Sequence, residues 1–330
     1  MATIYEVAAA AGVSTATVSR FFNGAKVSPD TAQRVQDAAD RLRFVPSRTA
    51  RRLRRQTSEL IALVIPDIEN PFFTALARGV EDHAQRAGYS IVLCNTDDDP
   101  EKETRYLDIA NSEDMAGVIL APSSVDGDIR HLTDRGRPVV AVDRRTGLNI
   151  DAVMVDNRAI GAEITRHLFD RGRRRVACIA GPPEMEWTED RALGWRDVVL
   201  ARGGDAEIRD LLVHGDYRVQ GGREAMRALL ALADPPDAVV TTNNSMGVGA
   251  LQALAEQDDA GAAIDVAVIG ELPYPPAMAG ELTQVRLPAR HLGTTAADML
   301  LDRIGGDDQP PRTVVLRGEL LPTPAVPAAL

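Results

Sequence analysis

The sequence predicts an α/β protein with an N-terminal three-helix head, a short hinge helix, and two doubly wound lobes built on parallel sheets. Helix caps and apolar stripes of helical spacing define the head over residues 4–42. From Leu60 onward, short runs rich in Val, Ile and Leu alternate with helical stretches, which is typical of parallel strands covered on both faces. These units are too many for one sheet of usual size, so we expect two lobes.

The head, at residues 1–45, is predicted to contain three helices. Ile4–Ala11 forms the first, and Gly12 supplies a sharp turn of the helix-turn-helix kind. Ser14 can cap the second helix, which runs to about residue 22. Ser28 followed by Pro29 places a capping hydroxyl and a proline ahead of the third, which runs to about residue 42.

Residues 46–57 are expected to form the hinge helix. Pro46 interrupts the helical pattern, and the segment after it is rich in arginine, with Ala50 and Leu53 as its apolar residues. An isolated helix shorter than about 12 residues is marginal in water. We therefore expect this segment to be disordered alone and to fold on contact with a partner.

Charge divides the chain and predicts a nucleic-acid partner for its N-terminal part. The net charge of the whole chain is −11. Residues 1–57 hold 10 Lys and Arg against 4 Asp and Glu, whereas residues 58–330 hold 27 against 44. Such asymmetry indicates a basic nucleic-acid-binding segment on an acidic body.

The body, at residues 58–330, is predicted as alternating strands and helices. The strands are expected at 61–65, 90–94, 117–121, 139–142, 152–155, 175–179, 237–241, 266–269 and 313–316. The clearest helical stretches are 72–87, 159–170, 221–231 and 245–256.

Several functional classes are not expected. Cys94 and Cys178 have no metal-ligand spacing and lie in or beside apolar strands, which predicts buried free thiols. We find no signal peptide and no apolar run long enough to span a membrane, so a cytoplasmic location is expected. Phosphate-binding loops, nucleophile elbows and metal clusters are also missing from the sequence, so we predict neither an enzyme nor a cofactor.

Motifs in the head and body together resemble the lactose/galactose repressor family. The head reads Ile4-Tyr-x-Val-Ala-x-x-Ala-Gly-Val-Ser-x-x-Thr-Val-Ser-Arg20. The body continues with Pro66-Asp-Ile-x-Asn-Pro-Phe-Phe73, Val142-Asp-Arg144 and Val155-Asp-Asn157, in the order typical of the family. The similarity covers essentially the whole chain.

The resemblance implies a body of the periplasmic-binding-protein type, in which two lobes close on a ligand. The chain would cross between lobes near Asp156, Val285 and Arg317, which gives an N-lobe of about 58–156 and 286–316 and a C-lobe of about 157–285 and 317–330. It also implies a homodimeric, allosteric transcription regulator, most simply a repressor. The partners would be a pseudo-palindromic operator in double-stranded DNA and a small-molecule effector, a sugar or another small metabolite, and the protein would be nucleoid-associated through its DNA.

A helix-turn-helix lays its second helix in the major groove. The resemblance places Thr15 and Ala16 at the main specificity positions, and Arg20 can contact guanine O6 and N7. Because the side chain of Ala16 cannot hydrogen-bond a base, we expect few direct contacts to bases. The hinge helix is therefore expected to contribute part of the sequence specificity. The residues suited to phosphate contacts are Thr3, Tyr5, Ser14, Thr17, Ser19 and Asn23.

In the family, the hinge helices of a dimer pair in the minor groove, where a leucine wedges into the central base step. Leu53 matches that leucine. The arginines expected to neutralise phosphates or enter the groove include Arg48, Arg51 and Arg52.

The resemblance also implies a set of effector-binding positions. Aromatic faces stack on flat rings or on sugars, while Asp and Arg fix hydroxyls or a carboxylate. Instead of binding an effector, the two phenylalanines could be part of the hydrophobic core. Asp143 and Arg191 could each belong to an ion pair that only stabilises the fold. The positions are Phe72, Phe73, Asp143, Trp187, Arg191, Tyr217, Asn243 and Leu272.

Three departures from the family bear on the effector. The family's usual Asn-Asp pair is here Asn243-Asn244. Leu272 stands where a ligand-binding carboxylate is expected, and Trp187 where a small hydroxyl residue is common. They favour a smaller, flatter or more apolar effector, with an anionic group for Arg191, over a polyhydroxyl sugar. Glu271 could supply the missing acid and restore a sugar as effector. A ligand-binding sensor or transport-type protein without a DNA role is the alternative function.

Overall fold

The computed structural model describes residues 2–22, 25–44, 58–125, 127, 129–183, 186–203, 208–257, 264–272 and 281–321. The chain divides into two compact units, Met1–Ser58 and Glu59–Leu330. The predicted hinge helix at 46–57 lies outside the described residues, and so do Asn23, Arg48, Arg51, Arg52 and Leu53.

The head unit is built from helices α1 (Ile4–Ala11), α2 (Thr15–Phe22) and α3 (Pro29–Arg41). A capping box begins α1: Thr3 Oγ1 accepts from Glu6 N, and the Glu6 carboxylate accepts from Thr3 N at 2.7 Å. Gly12 ends α1 in the left-handed conformation, with φ of 62°. The helices enclose a small apolar core of Val7, Ala8, Ala11, Val18, Val35, Ala38 and Ala39.

Strands and helices alternate through the described body. The strands are β1 (Leu60–Ile65), β2 (Ser90–Asn95), β3 (Gly117–Leu120), β4 (Val139–Val142), β5 (Asp151–Val155), β6 (Val176–Ala180), β7 (Leu212–His214), β8 (Ala238–Thr241), β9 (Asp265–Ile269), β10 (Leu282–Arg286), β11 (Thr313–Leu316) and β12 (Glu319–Leu321). The helices are α4 (Pro71–Arg86), α5 (Pro100–Ser112), α6 (Arg130–Thr133), α7 (Asn157–Asp170), α8 (Glu186–Ala201), α9 (Ile208–Leu211), α10 (Val219–Leu230), α11 (Asn244–Ala255) and α12 (Ala289–Ile304).

Two six-stranded sheets organise the body. The first, in the order β11-β5-β4-β3-β1-β2, is parallel throughout, and we call its lobe the N-lobe. The second, in the order β12-β10-β9-β8-β6-β7, is parallel except where β12 pairs with β10, and it forms the C-lobe. Central strands such as β3, β4 and β6 are buried along their full length, which explains their uninterrupted apolar sequence.

The chain crosses between the sheets three times, after β5, after β10 and after β11. As a result α12, which follows the C-lobe strand β10, packs on α4 of the N-lobe. The two helices approach so closely that a Cβ on Gly79 would overlap the carbonyl oxygen of Arg290, and one on Gly293 would overlap that of Leu76. Each lobe is therefore completed by residues that lie far apart in the sequence.

Three strands were not predicted from the sequence, namely β7, β10 and β12. β7 and β12 have three residues each. β10 reads Leu-Thr-Gln-Val-Arg, with too few apolar residues to stand out, yet its Thr283 is buried between β9 and β12. Among the described residues, no helix is both long enough and apolar enough to cross a membrane.

Candidate functional site

The second helix of the head presents Ala16 and Arg20 on an exposed face, one turn apart. Ser14 begins this helix, because its Oγ accepts from Thr17 N at 3.2 Å and lies 2.9 Å from Thr17 Oγ1. Thr15 and Thr17 are half-buried. This face has the side chains that a helix needs to reach base edges and phosphates.

The other expected phosphate contacts differ in their accessibility. Thr3 is exposed, and Tyr5 is 73% exposed although it is a large aromatic residue. Ser19 is only 9% exposed, so it packs against the head core and is poorly placed for the phosphate contact expected of it. The periodicity of a helix explains the difference, since Ser19 follows the fully buried Val18 on the inner face.

A cavity of about 590 Å³ lies in the body between the two lobes. The carboxyl ends of parallel strands from both sheets meet there, as expected for ligand sites in doubly wound folds. Six of the predicted effector residues line it: Phe72, Phe73, Asp143, Arg191, Tyr217 and Asn243.

Arg191 is fixed at the cavity by two neutral acceptors. Its Nε donates to Asn157 Oδ1 at 2.8 Å and its Nη1 to the carbonyl oxygen of Thr242 at 2.5 Å. Close packing of α7 on α8 sets this arrangement, since a Cβ on Gly161 would overlap the Arg191 carbonyl oxygen. No ion pair of Arg191 with a carboxylate occurs among the described side chains.

Asp143 brings a carboxylate to the opposite wall. Its Oδ1 is buried and makes no hydrogen bond to the described residues, while its Oδ2 lies 3.9 Å from Arg144 Nε. Arg144 is itself buried and paired with Asp98 at 2.5 Å. A buried acceptor without a partner is unfavourable unless a ligand satisfies it.

Backbone strain is concentrated around the cavity. The described non-glycine residues with positive φ include Asp98 (59°), Asp143 (64°) and Tyr217 (63°), which line the cavity, and Asp97 (56°) beside them. Each such conformation costs about 1–3 kcal/mol and persists only where its surroundings hold it. Strain gathered in one place supports the assignment of this cavity as a binding site.

Asn243 and Tyr217 form one unit of the cavity wall. Asn243 caps α11, accepting at Oδ1 from Met246 N at 2.8 Å, and its Nδ2 donates to the Tyr217 carbonyl oxygen at 2.9 Å. The side chain of Asn243 therefore holds the strained Tyr217 backbone in place.

The two phenylalanines differ in burial. Their rings lie edge to face, with centroids 5.0 Å apart. Phe73 belongs to the hydrophobic core and also lines the cavity. Its burial agrees with the alternative prediction, in which the phenylalanines are core residues. Phe72 is only partly buried, and it lines the cavity as well.

The placement of Leu272 differs from its prediction. Leu272 is 6% exposed and packs in an apolar cluster with Leu251, Val266, Val268 and Leu282, away from the cavity. Its neighbour Glu271 lines the cavity instead and pairs with Arg286 Nε at 3.0 Å. Because Glu271 and not Leu272 lines the cavity, the loss of an acid inferred from Leu272 does not hold. The side chain of Trp187 lies outside the described residues.

Sequence reasoning missed Asn157, Asp67 and Arg218, all at the cavity. Asn157 lies two residues beyond the end of β5 and Asp67 two residues beyond the end of β1, at the carboxyl edge of the N-lobe sheet. That position was a usable signal. Arg218 carries no comparable signal, because its partner lies in the other lobe.

Neither metal binding nor thiol chemistry is indicated. No cluster of His, Cys, Asp or Glu in the described part of the chain could hold a metal ion. Cys94 and Cys178 are free and buried, which confirms the prediction, and burial raises the pKa of both thiols.

Comparison with known proteins decides what this architecture is. Residues 3–47 match the family described as "Bacterial regulatory proteins, lacI family". Residues 58–320 match "Periplasmic binding proteins and sugar binding domain of LacI family". The chain belongs to the LacI family.

Relatives support this membership along the whole chain. The ribose operon repressor of Halalkalibacterium halodurans is 35% identical over 92% of this chain and 91% of its own. The HTH-type transcriptional repressor PurR of Photobacterium profundum is 31% identical over 97% of both chains. A solved structure, the transcriptional regulator CelR in complex with cellobiose, is 30% identical with a TM-score of 0.71, covering 97% of this chain and 98% of that one.

Membership in the LacI family confirms three predictions. The fold is a helix-turn-helix head followed by a two-lobed body of the periplasmic-binding-protein type. The protein is a DNA-binding transcriptional repressor with an effector-binding body. Proteins of this kind are regulators and not enzymes.

Proposed function

We propose that this LacI-family repressor acts in the cytoplasm as a homodimer that binds operator DNA of the nucleoid. An effector bound in the cavity between the two lobes controls its affinity for that DNA. In this proposal residues 1–45 read the major groove, residues 46–57 form the hinge helix, and the body binds the effector and the partner subunit. The observation that carries it is the cavity, which is lined from one lobe by Asp143, with its unpaired carboxylate oxygen, and from the other by Arg191, whose guanidinium is held by Asn157.

The major-groove contacts are assigned to Thr15, Ala16 and Arg20. Arg20 is the group able to form a bidentate contact with guanine, while Ala16 can at most touch a thymine methyl. The other residues proposed for the operator are Thr3, Tyr5, Ser14, Thr17, Asn23, Arg48, Arg51, Arg52 and Leu53.

We further assign the effector to the hydroxyl-bearing small molecules, of monosaccharide or nucleoside type. Asp143 Oδ1 would accept from a hydroxyl, and Arg191 would donate to a hydroxyl or ring oxygen. Phe72 and Tyr217 would cover an apolar ring face. Because Glu271 and not Leu272 lines the cavity, the departure at Leu272 no longer speaks against a sugar. The departure at Trp187 falls on a side chain outside the described residues. D-Ribose is the first compound to test, given the ribose operon repressor among the relatives.

The test is a gel shift with the full chain on the DNA upstream of its own gene, with and without D-ribose, other pentoses and nucleosides. We expect a specific shift that one of these compounds alters. A chain that lacks residues 1–57 serves as the control, and it should bind the same compound by calorimetry without binding DNA. A shift that survives this deletion, or a cavity that binds none of these compounds, would contradict the assignment.

A further inference from the structure

An ion pair joins the two lobes across the cavity. Arg218, just before α10 of the C-lobe, places Nη1 2.7 Å from Oδ2 of Asp67, which follows β1 of the N-lobe. The Asp67 side chain is 14% exposed and that of Arg218 42%. The pair is therefore partly shielded from water at its acidic end.

Both members of this ion pair are oriented by hydrogen bonds within their own segments of the chain. Asp67 uses its other oxygen, Oδ1, to accept from Glu69 N at 2.9 Å, which directs Oδ2 towards the opposite lobe. The backbone N of Arg218 donates to Asp216 Oδ1 at 2.8 Å. This turn leaves no space for a side chain at Gly221, where a Cβ would overlap the Asp216 carboxylate.

A second carboxylate of the N-lobe, that of Asp97, also interacts electrostatically with Arg218. Asp97 lies on the loop after β2, and the hydrogen bond from Lys102 is the largest cause that lowers its pKa, followed by one from Asn95. The charge of Arg218 lowers the pKa of Asp97 further. The C-lobe arginine thus lies in a rim of the N-lobe that carries Asp67, Asp97 and Lys102.

The turn that carries Arg218 is also part of the cavity wall. Tyr217 lines the cavity with φ of 63°, and its carbonyl oxygen accepts from Asn243 at 2.9 Å. Asp67 lines the cavity from the other side. Any ligand that touches Tyr217 or Asn243 therefore touches a segment tethered to the opposite lobe.

We propose that Arg218 is a positioning residue that, through Asp67, holds the two lobes at the separation seen in this structure, which we call the closed state. The proposal rests on the assignment of the cavity as the effector site, but it concerns the lobes themselves and applies without ligand. An ion pair of this exposure contributes modestly, so its loss is expected to raise the ratio of open to closed molecules by about threefold. A ligand that needs the closed state would lose affinity by up to the same factor.

The experiment measures lobe separation in the full chain without any ligand. Nitroxide labels are placed at Glu101→Cys on α5 and Gln220→Cys on α10, both exposed, while the native Cys94 and Cys178 are buried. Electron–electron resonance then gives the distance distribution. Asp67→Asn removes the charge but keeps an oxygen for Glu69 N, Arg218→Gln removes the cation, and Arg218→Lys retains it.

Arg158→Gln is the matched control, since it breaks an ion pair to Asp197 at 2.8 Å within the C-lobe alone. We expect Asp67→Asn and Arg218→Gln to raise the ratio of longer to shorter distances by about threefold, and Arg218→Lys and the control to resemble the parent. Unchanged distances in both charge-removing variants would overturn the proposal. A change in Arg218→Gln without one in Asp67→Asn would overturn Asp67 as the partner. Because no effector is present, these outcomes are independent of whether D-ribose is the ligand.

Discussion

Asn157 and Arg191 are joined by a hydrogen bond of 2.8 Å between Oδ1 of the first residue of α7 and the Nε of a residue within α8. Asn157 lies directly after the first crossing between lobes and is buried. The bond therefore connects the place where the chain passes between lobes to the cation proposed to bind the effector.

Asn157→Ala is expected to weaken effector binding by about tenfold, because the guanidinium loses a charge-assisted hydrogen bond that fixes its orientation. Calorimetric titration of the full chain with the compound that alters the gel shift gives the affinity. Arg158→Ala, the next residue of the same helix, loses only the ion pair to Asp197 and should bind the compound normally. Equal affinities in the two variants would show that Arg191 needs no support from Asn157.

Asp143→Asn is expected to lower effector affinity by about tenfold while leaving thermal stability equal or higher. The carboxylate supplies a charged acceptor to the ligand, but in the free protein its buried Oδ1 has no partner among the described residues. An amide is less costly to bury and tolerates the left-handed backbone at this position. Asp114→Asn is the control, since Asp114 also has positive φ (49°) but pairs with Arg137 outside the cavity. A loss of stability without a loss of affinity would assign Asp143 a structural role.

Glu103→Gln is expected to stabilise the protein at neutral pH. Burial is the largest cause that raises the pKa of Glu103, and hydrogen bonds from Ser123 and the charge of Arg144 oppose it. A carboxyl whose pKa is raised by folding contributes stability below its unfolded pKa, and this contribution is lost as the pH rises through the folded value. Gln removes the charge and can still accept from Ser123 N.

The free energy of unfolding, measured by urea titration, should therefore favour Glu103→Gln at pH 7. The advantage should shrink as the pH falls towards 4.5, the ordinary value for glutamate. An advantage that stays constant over this range would indicate better packing as its origin.

Arg20→Ala is expected to reduce operator affinity by about tenfold or more, the range measured for loss of a bidentate contact to guanine. Arg20 is exposed on the same face as Ala16. Arg34→Ala is the control, because Arg34 is engaged with Asp30 within α3. Filter binding at increasing salt should also show a steep fall in affinity for the parent, as counterion release requires. Equal losses in the two variants would indicate that Arg20 acts through charge alone.

The elements that could be predicted from the sequence are those with local causes. Ser14 and Ser28 begin helices because their hydroxyls accept from the backbone three residues on, and this pattern is visible in the sequence. The uninterrupted apolar strands of the sheet centres are equally local. β10 could not be recognised, because pairing with β9 and β12, and not its own composition, makes it a strand.

In the candidate site, too, some positions could be predicted from the sequence and others depend on contacts between distant residues. Residues at the carboxyl ends of strands, such as Asp143 and Asn243, could be placed because the fold brings those ends together. The directions of Glu271 and Leu272 could not be predicted, because these residues lie outside a strand, beyond Gly270 with its positive φ of 124°, where no regular alternation of side chains applies. Arg218 pairs with a residue 151 positions away, which no local pattern encodes.

The chain crosses between the lobes three times, and this has a consequence for the order in which the protein folds during its synthesis on the ribosome. The chain is made from its N-terminus, so the head, whose core is local, can fold as soon as it leaves the ribosome. The N-lobe cannot be completed until α12 and β11, at residues 289–316, have been made. A nascent chain can therefore hold a folded DNA-binding head while its ligand cavity does not yet exist. Control by the effector is acquired only once residues 289–316 have been translated.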